Sequence, residues 1–407
     1  MSPGIPPADY SLYIHVPFCR SFCDYCDFYS VLLPPGGEGN TLVERYINTL
    51  AADARWLFEK FPAATIPAIY IGGGTPSVLG AEGIRRLFGA LGELPGLGRD
   101  RDRGQDREWT VEANPESLDG EFLHACREAG VNRLSLGVQS FSPRLRALVH
   151  RGGPVEVLER ALDLALRFFP QSFSADIMAG LPGQDLKDLL DDIERLLIFH
   201  PAHVSLYALN LEEGTPLWDR AAELPPQDKA GRLWIRGRDA LERSGYSQYE
   251  VSNFSLPGHE SRHNLRYWGM KNWLALGPSG SGTLIDDRKG TGLRVNWSAD
   301  LALWLAGDPA RPGRLEQENL DRLSLMKESL LMGFRLSRGP DAPLFKRRFG
   351  LSPEEAIPKT LAKWRSRGLI RADPANSPAG QGPALTRKGL LFLNSFLVDI
   401  FEELDPD

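Results

Sequence analysis

The feature that most constrains the fold of this chain is an alternation of short apolar runs with helical patterns through its first half. Six apolar runs are predicted as strands, and they are Ser11–Val16, Ala68–Ile71, Trp109–Glu112, Arg133–Val138, Phe173–Met178 and His203–Ala208. Helical patterns lie between them at Leu42–Lys60, Ala81–Gly92, Leu118–Ala129, Pro143–Phe168 and Asp185–Phe199. Repeated strand–helix units predict an α/β fold with a parallel sheet. Six units are too few for a complete eightfold barrel, so a partial barrel and an open sheet both fit.

The pattern changes after about residue 223. Pro225–Gly245 is predicted as an amphipathic helix, and Tyr246–Gly290 is dense in aromatic residues, Asn, His and Gly. Pro95–Glu108, rich in Gly, Arg and Asp, is expected to be an exposed loop insertion. We therefore predict three parts: a core at residues 1–225, a connecting segment at 226–310 and a C-terminal helical domain at 311–407.

The C-terminal part contains its own succession of predicted elements. They are helices near Ser324–Arg335 and Pro358–Arg367, short paired strands at Leu369–Arg371 and Ala384–Thr386, and a terminal helix from Lys388. This order is that of a small domain rather than of further strand–helix units.

The composition excludes several classes of partner. The net charge is −6, so no basic surplus indicates nucleic acid or an anionic membrane as the main partner. No run approaches the ~18 apolar residues of an integral membrane segment. The opening residues MSPGIPPADY lack the basic and apolar regions of a signal peptide. The expected location is therefore the cytoplasm.

Three of the four cysteines fall within eight positions. Cys19, Cys23 and Cys26 are separated by three and then two residues, whereas Cys126 stands alone. Clustered thiols in a reducing compartment are typical metal ligands. Three thiolates on one loop can hold three irons of a [4Fe–4S] cluster and leave the fourth iron open. The open iron can bind the amino and carboxylate groups of S-adenosylmethionine (SAM), and an electron from the reduced cluster then cleaves SAM to a 5′-deoxyadenosyl radical.

A zinc site is the alternative, with His15 or Asp24 as the fourth ligand. Structural zinc usually has a second pair of ligands further along the chain, and none of the other histidines stands in such a pair. The spacing therefore favours an iron–sulfur cluster. We expect Cys126, which lies in a helical pattern, to be a small buried apolar residue.

Five further motifs accompany the cysteines. They are Tyr70-Ile-Gly-Gly-Gly-Thr-Pro-Ser77, Glu112-Ala-Asn-Pro-Glu116, Leu134-Ser-Leu-Gly-Val-Gln-Ser-Phe141, Asp176-Ile-Met-Ala-Gly-Leu-Pro-Gly-Gln184 and His263-Asn-Leu-Arg-Tyr-Trp268. With the lead-in Tyr13-Ile-His-Val-Pro-Phe18, the chain resembles the oxygen-independent coproporphyrinogen III oxidase family of radical SAM proteins from Tyr13 to about Leu393. The resemblance implies a partial (β/α)6 TIM-like radical SAM barrel with a small C-terminal, winged-helix-like helical domain.

The resemblance also implies a set of SAM contacts at the strand ends. These residues are Tyr13, Tyr25, Gly73, Gly74, Thr75, Glu112, Gln139, Arg151 and Asp176. By resemblance, the glycine run and Thr75 meet the methionyl part of SAM, where a backbone without Cβ atoms allows close approach. The two acidic residues and Gln139 would bind its amine and ribose groups, Arg151 its carboxylate, and the tyrosines would pack near the cluster and adenine.

Each of these residues has a structural alternative. The glycines are compatible with an ordinary turn, and Glu112 with a salt-bridged carboxylate at the barrel rim. Arg151 stands in Leu-Val-His-Arg-Gly-Gly, where the family usually has Leu-Gly-Arg-x-His, so a surface position also fits. Ordinary aromatic packing is an alternative for the two tyrosines.

Two branches of the family differ in function. One oxidatively decarboxylates coproporphyrinogen III in haem synthesis, and the other is a haem chaperone that delivers haem to acceptor proteins. The enzyme branch has a further Cys where this chain has Phe28, and it has a longer N-terminal extension than the twelve residues before Tyr13. The motif His263-Asn-x-x-Tyr-Trp268 is of the chaperone type. The resemblance therefore favours the chaperone, while a coproporphyrinogen dehydrogenase or a radical enzyme acting on another substrate stays open.

His263 is the candidate haem ligand, since imidazole is a common ligand of haem iron. Flat aromatic side chains surround it in the sequence: Tyr246, Tyr249, Phe254, Tyr267, Trp268 and Trp273. His259 is a rival ligand. The alternative is that the aromatics seal the barrel mouth and that His263 binds a backbone carbonyl. Haem as cargo, haem-acceptor proteins and an electron donor for the cluster are the expected partners.

Overall fold

A computed structural model of the chain describes residues 9–93, 107–309, 311–371 and 382–405. The strands are β1 (Ser11–Val16), β2 (Phe18–Cys19), β3 (Val31–Leu32), β4 (Ala68–Gly73), β5 (Glu108–Ala113), β6 (Arg133–Gln139), β7 (Phe173–Ala179), β8 (His203–Ala208), β9 (Ser247–Gln248), β10 (Asn253–Ser255), β11 (Trp273–Leu276), β12 (Ser281–Asp286), β13 (Thr291–Trp297) and β14 (Leu315–Leu320).

The α-helices are α1 (Gly36–Lys60), α2 (Gly80–Gly92), α3 (Gly120–Ala129), α4 (Pro143–Leu148), α5 (Val155–Phe168), α6 (Leu186–Leu197), α7 (Gln227–Arg243), α8 (Arg262–Trp268), α9 (Leu301–Trp304), α10 (Arg322–Gly333), α11 (Ala342–Phe349), α12 (Pro353–Ala356), α13 (Pro358–Ser366) and α14 (Leu393–Leu404). Short 3₁₀ helices cover Pro76–Leu79, Pro115–Ser117, Trp218–Glu223 and Gly389–Phe392. No helix within the described ranges is long and apolar enough to cross a membrane.

One large sheet carries the fold. Its strand order is β14-β13-β12-β11-β1-β4-β5-β6-β7-β8-β10-β9. The six strands predicted from the sequence, β1 and β4 to β8, stand in chain order and pair in parallel, which confirms the α/β prediction. The sequence did not predict β11, which adds a seventh parallel strand beside β1. With only four residues, β11 carries too little pattern to be recognised by itself.

The second half of the chain extends this sheet at both edges. β12, β13 and β14 continue it antiparallel beyond β11, and β10 and β9 do so beyond β8. The sheet therefore runs across residues 225 and 310, where the sequence analysis places its domain divisions. A second core is formed mainly by residues of the C-terminal part, including Phe334, Trp364 and Phe396, together with Trp273 and Ile285 of the sheet. An isolated antiparallel bridge joins Ile370 to Leu385.

The predicted helix Pro143–Phe168 is wrong as one element. It is two helices, α4 and α5, separated by residues 149–154. His150 and Gly153 both have positive φ angles, 48° and 81°, and Pro154 directly precedes α5. The break turns the backbone so that Arg151 reaches the sheet, as described below. The loop insertion predicted at Pro95–Glu108 lies outside the described residues except for its last two positions.

The parallel strands have one apolar face and one polar face. Leu12, Ile14 and Val16 of β1 are fully buried on the apolar face, as are the corresponding residues of the neighbouring strands. The alternate residues on the other face are mostly polar, namely Tyr13, His15, Tyr70, Thr110, Glu112, Ser135, Asp176 and Ser205. Because side chains alternate along a strand, these residues share the inner face of the curved sheet. We call the space that this face encloses the lumen.

Candidate functional site

The cysteine loop leaves the sheet at the carboxyl end of β1. Cys19 ends β2, and its Sγ lies 3.4 Å from the Thr75 hydroxyl. The Cys23 Sγ accepts a hydrogen bond of 3.6 Å from Arg151, and Cys26 is exposed. The position agrees with the general placement of functional sites at the carboxyl ends of parallel strands.

The three thiols influence one another electrostatically. Burial raises the pKa of Cys19. Cys26 is the most exposed of the three cysteines, but partial desolvation of its thiol still raises its pKa to about 11, and the neighbouring thiols cause smaller increases. In the parts of the chain that the structure describes, no group of three or more His, Cys, Asp or Glu side chains is gathered as for a metal ion. The assignment of the cysteines as cluster ligands therefore stays a prediction. Cys126 is fully buried in α3, in the main core.

The structure argues against the zinc alternative. The His15 Nε2 donates to the Tyr29 carbonyl at 2.8 Å, so its Nδ1 is the acceptor for the Tyr13 hydroxyl at 3.1 Å. The Asp24 carboxylate accepts hydrogen bonds from His150 and Arg220. Neither candidate for the fourth zinc ligand is thus free to bind a metal.

Asp24 ties the cysteine loop to two neighbouring loops. Its carboxylate accepts from the His150 Nδ1 at 2.7 Å and from the Arg220 Nη1 at 2.6 Å. Its backbone N–H donates to the Val149 carbonyl, and its carbonyl accepts from the Leu217 N–H. Because the carboxylate is buried, these bonds are more strongly stabilising than those of an exposed ion pair.

We expect Asp24→Ala to lower iron retention without unfolding the barrel. Losing the carboxylate removes the hydrogen bonds that join the cysteine loop to His150 and Arg220, at a cost of about 1–3 kcal/mol that falls on the loop carrying Cys23 and Cys26. Iron per chain, followed over time in anaerobic buffer with a chelator, measures the effect. Asp27→Ala, an exposed carboxylate in the same loop, is the matched control. Equal iron loss in the two variants would contradict this role of Asp24.

The glycine run at the end of β4 allows a close approach of backbones. A Cβ on Gly73, whose φ is 109°, would lie 2.6 Å from the His15 ring, and a Cβ on Gly74 would lie 2.8 Å from the Phe18 carbonyl. The Gly74 N–H donates to Val16, and the Thr75 N–H to Phe18, both at 2.8 Å. The local fold therefore requires these glycines whether or not a ligand binds, because they allow Thr75 to lie against the cysteine loop.

Glu112 lies deep in the lumen, with part of its surface accessible. Its Oε1 accepts from the Tyr70 hydroxyl at 2.6 Å, and its Oε2 accepts from the Gly73 N–H at 3.2 Å. The pKa of Glu112 is raised to about 7. Burial is the main cause and nearby Asp176 adds to the increase, while these two hydrogen bonds oppose it. A cationic group bound here would therefore compete with a proton for the carboxylate.

Asp176 lies on the strand two places from Glu112 in the sheet. Burial raises the pKa of its carboxyl to about 6, against a hydrogen bond from Ser205 and the charges of Arg151 and Arg133. Its Oδ1 is buried and has no hydrogen-bond partner among the described residues. A buried, unpaired carboxylate oxygen is costly, so a donor group of a ligand is expected to satisfy it.

Arg151 is buried, so its predicted alternative as a surface residue is wrong. Its Nη2 donates to the Asn114 Oδ1 at 2.7 Å and to the Gly137 carbonyl at 2.6 Å, and its Nη1 faces Cys23. Gln139, at a bulge in β6 with a φ of 68°, lies beside the same group. The guanidinium thus stands between the cysteine loop and the strand ends.

Asn114 is a site residue that the sequence reasoning did not single out. Its Nδ2 donates to the Thr75 hydroxyl at 3.0 Å, and its Oδ1 accepts from Arg151. It therefore connects Arg151 to Thr75 and, through Thr75, to Cys19. Asn114 is part of the motif Glu112-Ala-Asn, and this motif was the feature of the sequence that could have identified it.

The two tyrosines have different surroundings. Tyr13 faces the lumen, where its ring lies 6.3 Å from that of Tyr70, nearly parallel. Tyr25 packs against an apolar cluster comprising Leu145, Val149, Met178, Leu181 and Leu209. Tyr25 also lies beside Cys23 and Arg151, which both affect the pKa of its hydroxyl, whereas Tyr13 is in the lumen with the carboxylates.

His263 lies at the opposite end of the barrel from the cysteines. Its helix α8 contacts the first residues of several strands: the Glu108 carboxylate accepts from the Arg262 and His263 N–H groups at 3.0 Å, and Arg266 donates to Ser11 at 2.7 Å. α8 thus forms a floor across the strand starts, about 20 Å from the cysteine loop for strands of six residues.

The His263 imidazole has one ring nitrogen that is unpaired among the described residues, and this nitrogen is buried. This nitrogen is Nδ1, so it does not bind a backbone carbonyl of a described residue. Burial lowers the pKa of His263 to about 4, so the ring is neutral near pH 7, which is the form that binds iron.

The predicted aromatic surface around His263 is largely absent. Tyr246 and Phe254 are buried in the main core, and Trp273 is buried in the second core. Tyr267 remains partly exposed, next to Trp268. These aromatic residues are close together in the sequence, but their side chains pack in different layers of the fold.

Comparison with known proteins gives the following similarities. The chain matches the Radical SAM superfamily model over residues 13–196 and the HemN C-terminal domain model over residues 320–392. It is 33% identical to the heme chaperone HemW of Lactococcus lactis, over 89% of this chain and 91% of the relative. It is 31% identical to the mouse mitochondrial radical S-adenosyl methionine domain-containing protein 1, over 98% and 90%.

Among solved structures, the fold is similar to that of coproporphyrinogen III oxidase (HemN) from Escherichia coli. The TM-score is 0.78, and the match covers 97% of this chain and 90% of that one. At 21% sequence identity, this likeness concerns the fold.

Proposed function

We propose, from the premise that this chain belongs to the radical SAM superfamily and to its HemW branch, that it is a haem chaperone, which binds haem and transfers it to acceptor proteins. The observation that carries the proposal is similarity to HemW proteins over nearly the whole length of both chains. The neutral imidazole of His263, with its unpaired Nδ1, supports it independently.

The residues present fit a [4Fe–4S] cluster and SAM. Cys19, Cys23 and Cys26 would hold the cluster, and when bound it would supply one-electron reduction of SAM. The unpaired oxygen of Asp176 and the accessible carboxyl of Glu112 are suited to the amine and hydroxyl groups of SAM.

The protein's own side chains orient the cysteines of the loop. Arg151 donates a hydrogen bond to Cys23, and Asn114 keeps that guanidinium in position. Thr75 offers a hydroxyl to Cys19. Neither the electron donor nor an acceptor protein is identified, and both remain predictions, as does the cytoplasmic location.

Haem titration tests the proposal. Wild-type protein is expected to give a shifted Soret band, since His263 donates a neutral imidazole to the iron. In His263→Ala we expect this shift of the Soret band to disappear and the affinity for haem to fall about tenfold, equivalent to ~1.4 kcal/mol. His259→Ala is the matched control, and it should behave as wild type.

Two results would contradict the proposal. An unchanged spectrum and affinity in His263→Ala would remove this residue as the ligand. No haem binding by wild type, together with SAM-dependent turnover of coproporphyrinogen under reducing conditions, would establish the dehydrogenase alternative instead.

A further inference from the structure

The carboxylate of the SAM site and the candidate haem ligand share one neighbour. The Tyr70 hydroxyl donates to the Glu112 Oε1 at 2.6 Å. The ring of the same tyrosine lies 4.9 Å from that of His263, with an angle of 31° between the ring planes. One side chain therefore contacts residues of both sites, although the cysteine loop and α8 lie at opposite ends of the strands.

The position of Tyr70 is closely restricted. Tyr13 packs on it with a ring distance of 6.3 Å, and Tyr13 also lies 6.4 Å from His263. The Tyr13 hydroxyl is directed to His15, so it makes no bond to Glu112 that could replace that of Tyr70. The rings of Tyr13, Tyr70 and His263 therefore form one cluster, so a change in the position of Tyr70 alters its contact with the His263 ring.

Glu112 has both of its carboxyl oxygens engaged, by Tyr70 and by the Gly73 N–H. A cationic or hydroxyl-bearing ligand at this carboxyl keeps it ionised, and a hydrogen bond from a hydroxyl to an ionised carboxylate is shorter and stronger than one to a neutral carboxyl. Occupation of the site thus holds the Tyr70 hydroxyl more tightly and fixes its ring.

A fixed Tyr70 ring restricts the imidazole that it contacts. His263 has no hydrogen bond from its Nδ1 to a described residue, so ring packing is what orients this edge of the imidazole. Holding a ligand group in its binding orientation before the metal arrives lowers the entropy lost on binding.

We infer that Tyr70 couples the two sites, so that SAM bound at Glu112 increases the affinity of His263 for haem. By linkage, haem increases the affinity for SAM by the same factor. The inference rests on the proposed function, because it takes haem as the ligand of His263. It assigns Tyr70 a positioning role, since this residue acts through its neighbours.

The test compares haem affinity with and without SAM. Haem is titrated into the cluster-containing protein, in the absence of reductant so that SAM stays intact, and the Soret band is followed. We expect SAM to tighten haem binding about fivefold or more in wild type, and to have no such effect in Tyr70→Phe. The ratio of the two affinities is the readout, so a uniform change in haem affinity caused by the substitution cancels.

Tyr10→Phe is the matched control. Its hydroxyl is also buried and donates to the Phe61 carbonyl, outside the lumen, so the SAM effect should be kept. Equal haem affinities with and without SAM in wild type, weaker binding with SAM, or an undiminished effect in Tyr70→Phe would each overturn the coupling while leaving the haem proposal intact. Absence of haem binding by wild type under every condition would overturn both.

Discussion

Cys23→Ala is expected to abolish iron binding after anaerobic reconstitution, and Cys19→Ala and Cys26→Ala should do the same. Each cysteine would hold one iron of the cluster, and two thiolates on this loop leave too few ligands for a stable [4Fe–4S] centre. Iron and sulfide per chain, with the visible absorption of the cluster, measure the outcome.

Cys126→Ala is the matched control for these variants. Cys126 lies on α3, and its thiol is fully buried in the main core. Burial holds the pKa of this thiol far above its usual range, so it is not available as a thiolate. This variant should retain the full iron content and lose only a little stability. Iron retained in Cys23→Ala, or lost in a folded Cys126→Ala protein, would show that the ligand set is misassigned.

The second large effect is expected in SAM binding. Glu112→Gln and Asp176→Asn should each weaken SAM affinity by one to two orders of magnitude, because each removes a charged acceptor worth about 1.5–3 kcal/mol. Equilibrium binding to the cluster-containing protein measures the loss. Asp192→Asn is the matched control, since burial also raises the pKa of this carboxyl to about 6, but it accepts from the Phe141 N–H, away from the lumen.

The same carboxyls predict a pH dependence. A proton competes with SAM for Glu112, whose pKa is about 7 in the free protein, and for Asp176, whose pKa is about 6. SAM affinity should therefore be fully developed above pH 7 and fall as the pH decreases through 7 and then 6. In Glu112→Gln the upper step should disappear. Wild-type affinity in both carboxyl variants, with no pH dependence, would place the SAM site elsewhere.

The sequence by itself determined the features that depend on local pattern. The parallel strands were predictable because apolar residues recur along each of them, and the cysteines because their spacing on one loop is a property of the chain alone. Glu112 and Asp176 were predicted from the motifs that resemble the family, because these motifs are also a property of the sequence alone.

Only the tertiary structure decided how distant segments meet. The burial of Arg151 required the break between α4 and α5, and its partners Cys23 and Asn114 are far from it in the sequence. Asp24 is likewise joined to His150 across 126 positions. Hydrogen bonds of this kind leave no periodic signal, because each depends on where two separate backbones pass one another.

The floor of the barrel is the clearest case. Arg266 reaches Ser11 across 255 positions, and this contact, with those of Glu108, brings α8 to the strand starts. The sequence named His263 as a ligand, but only the packing of α8 across the sheet puts its ring against Tyr70. The contacts between α8 and the starts of the strands depend on how the helix packs across the sheet, and no local sequence pattern encodes them.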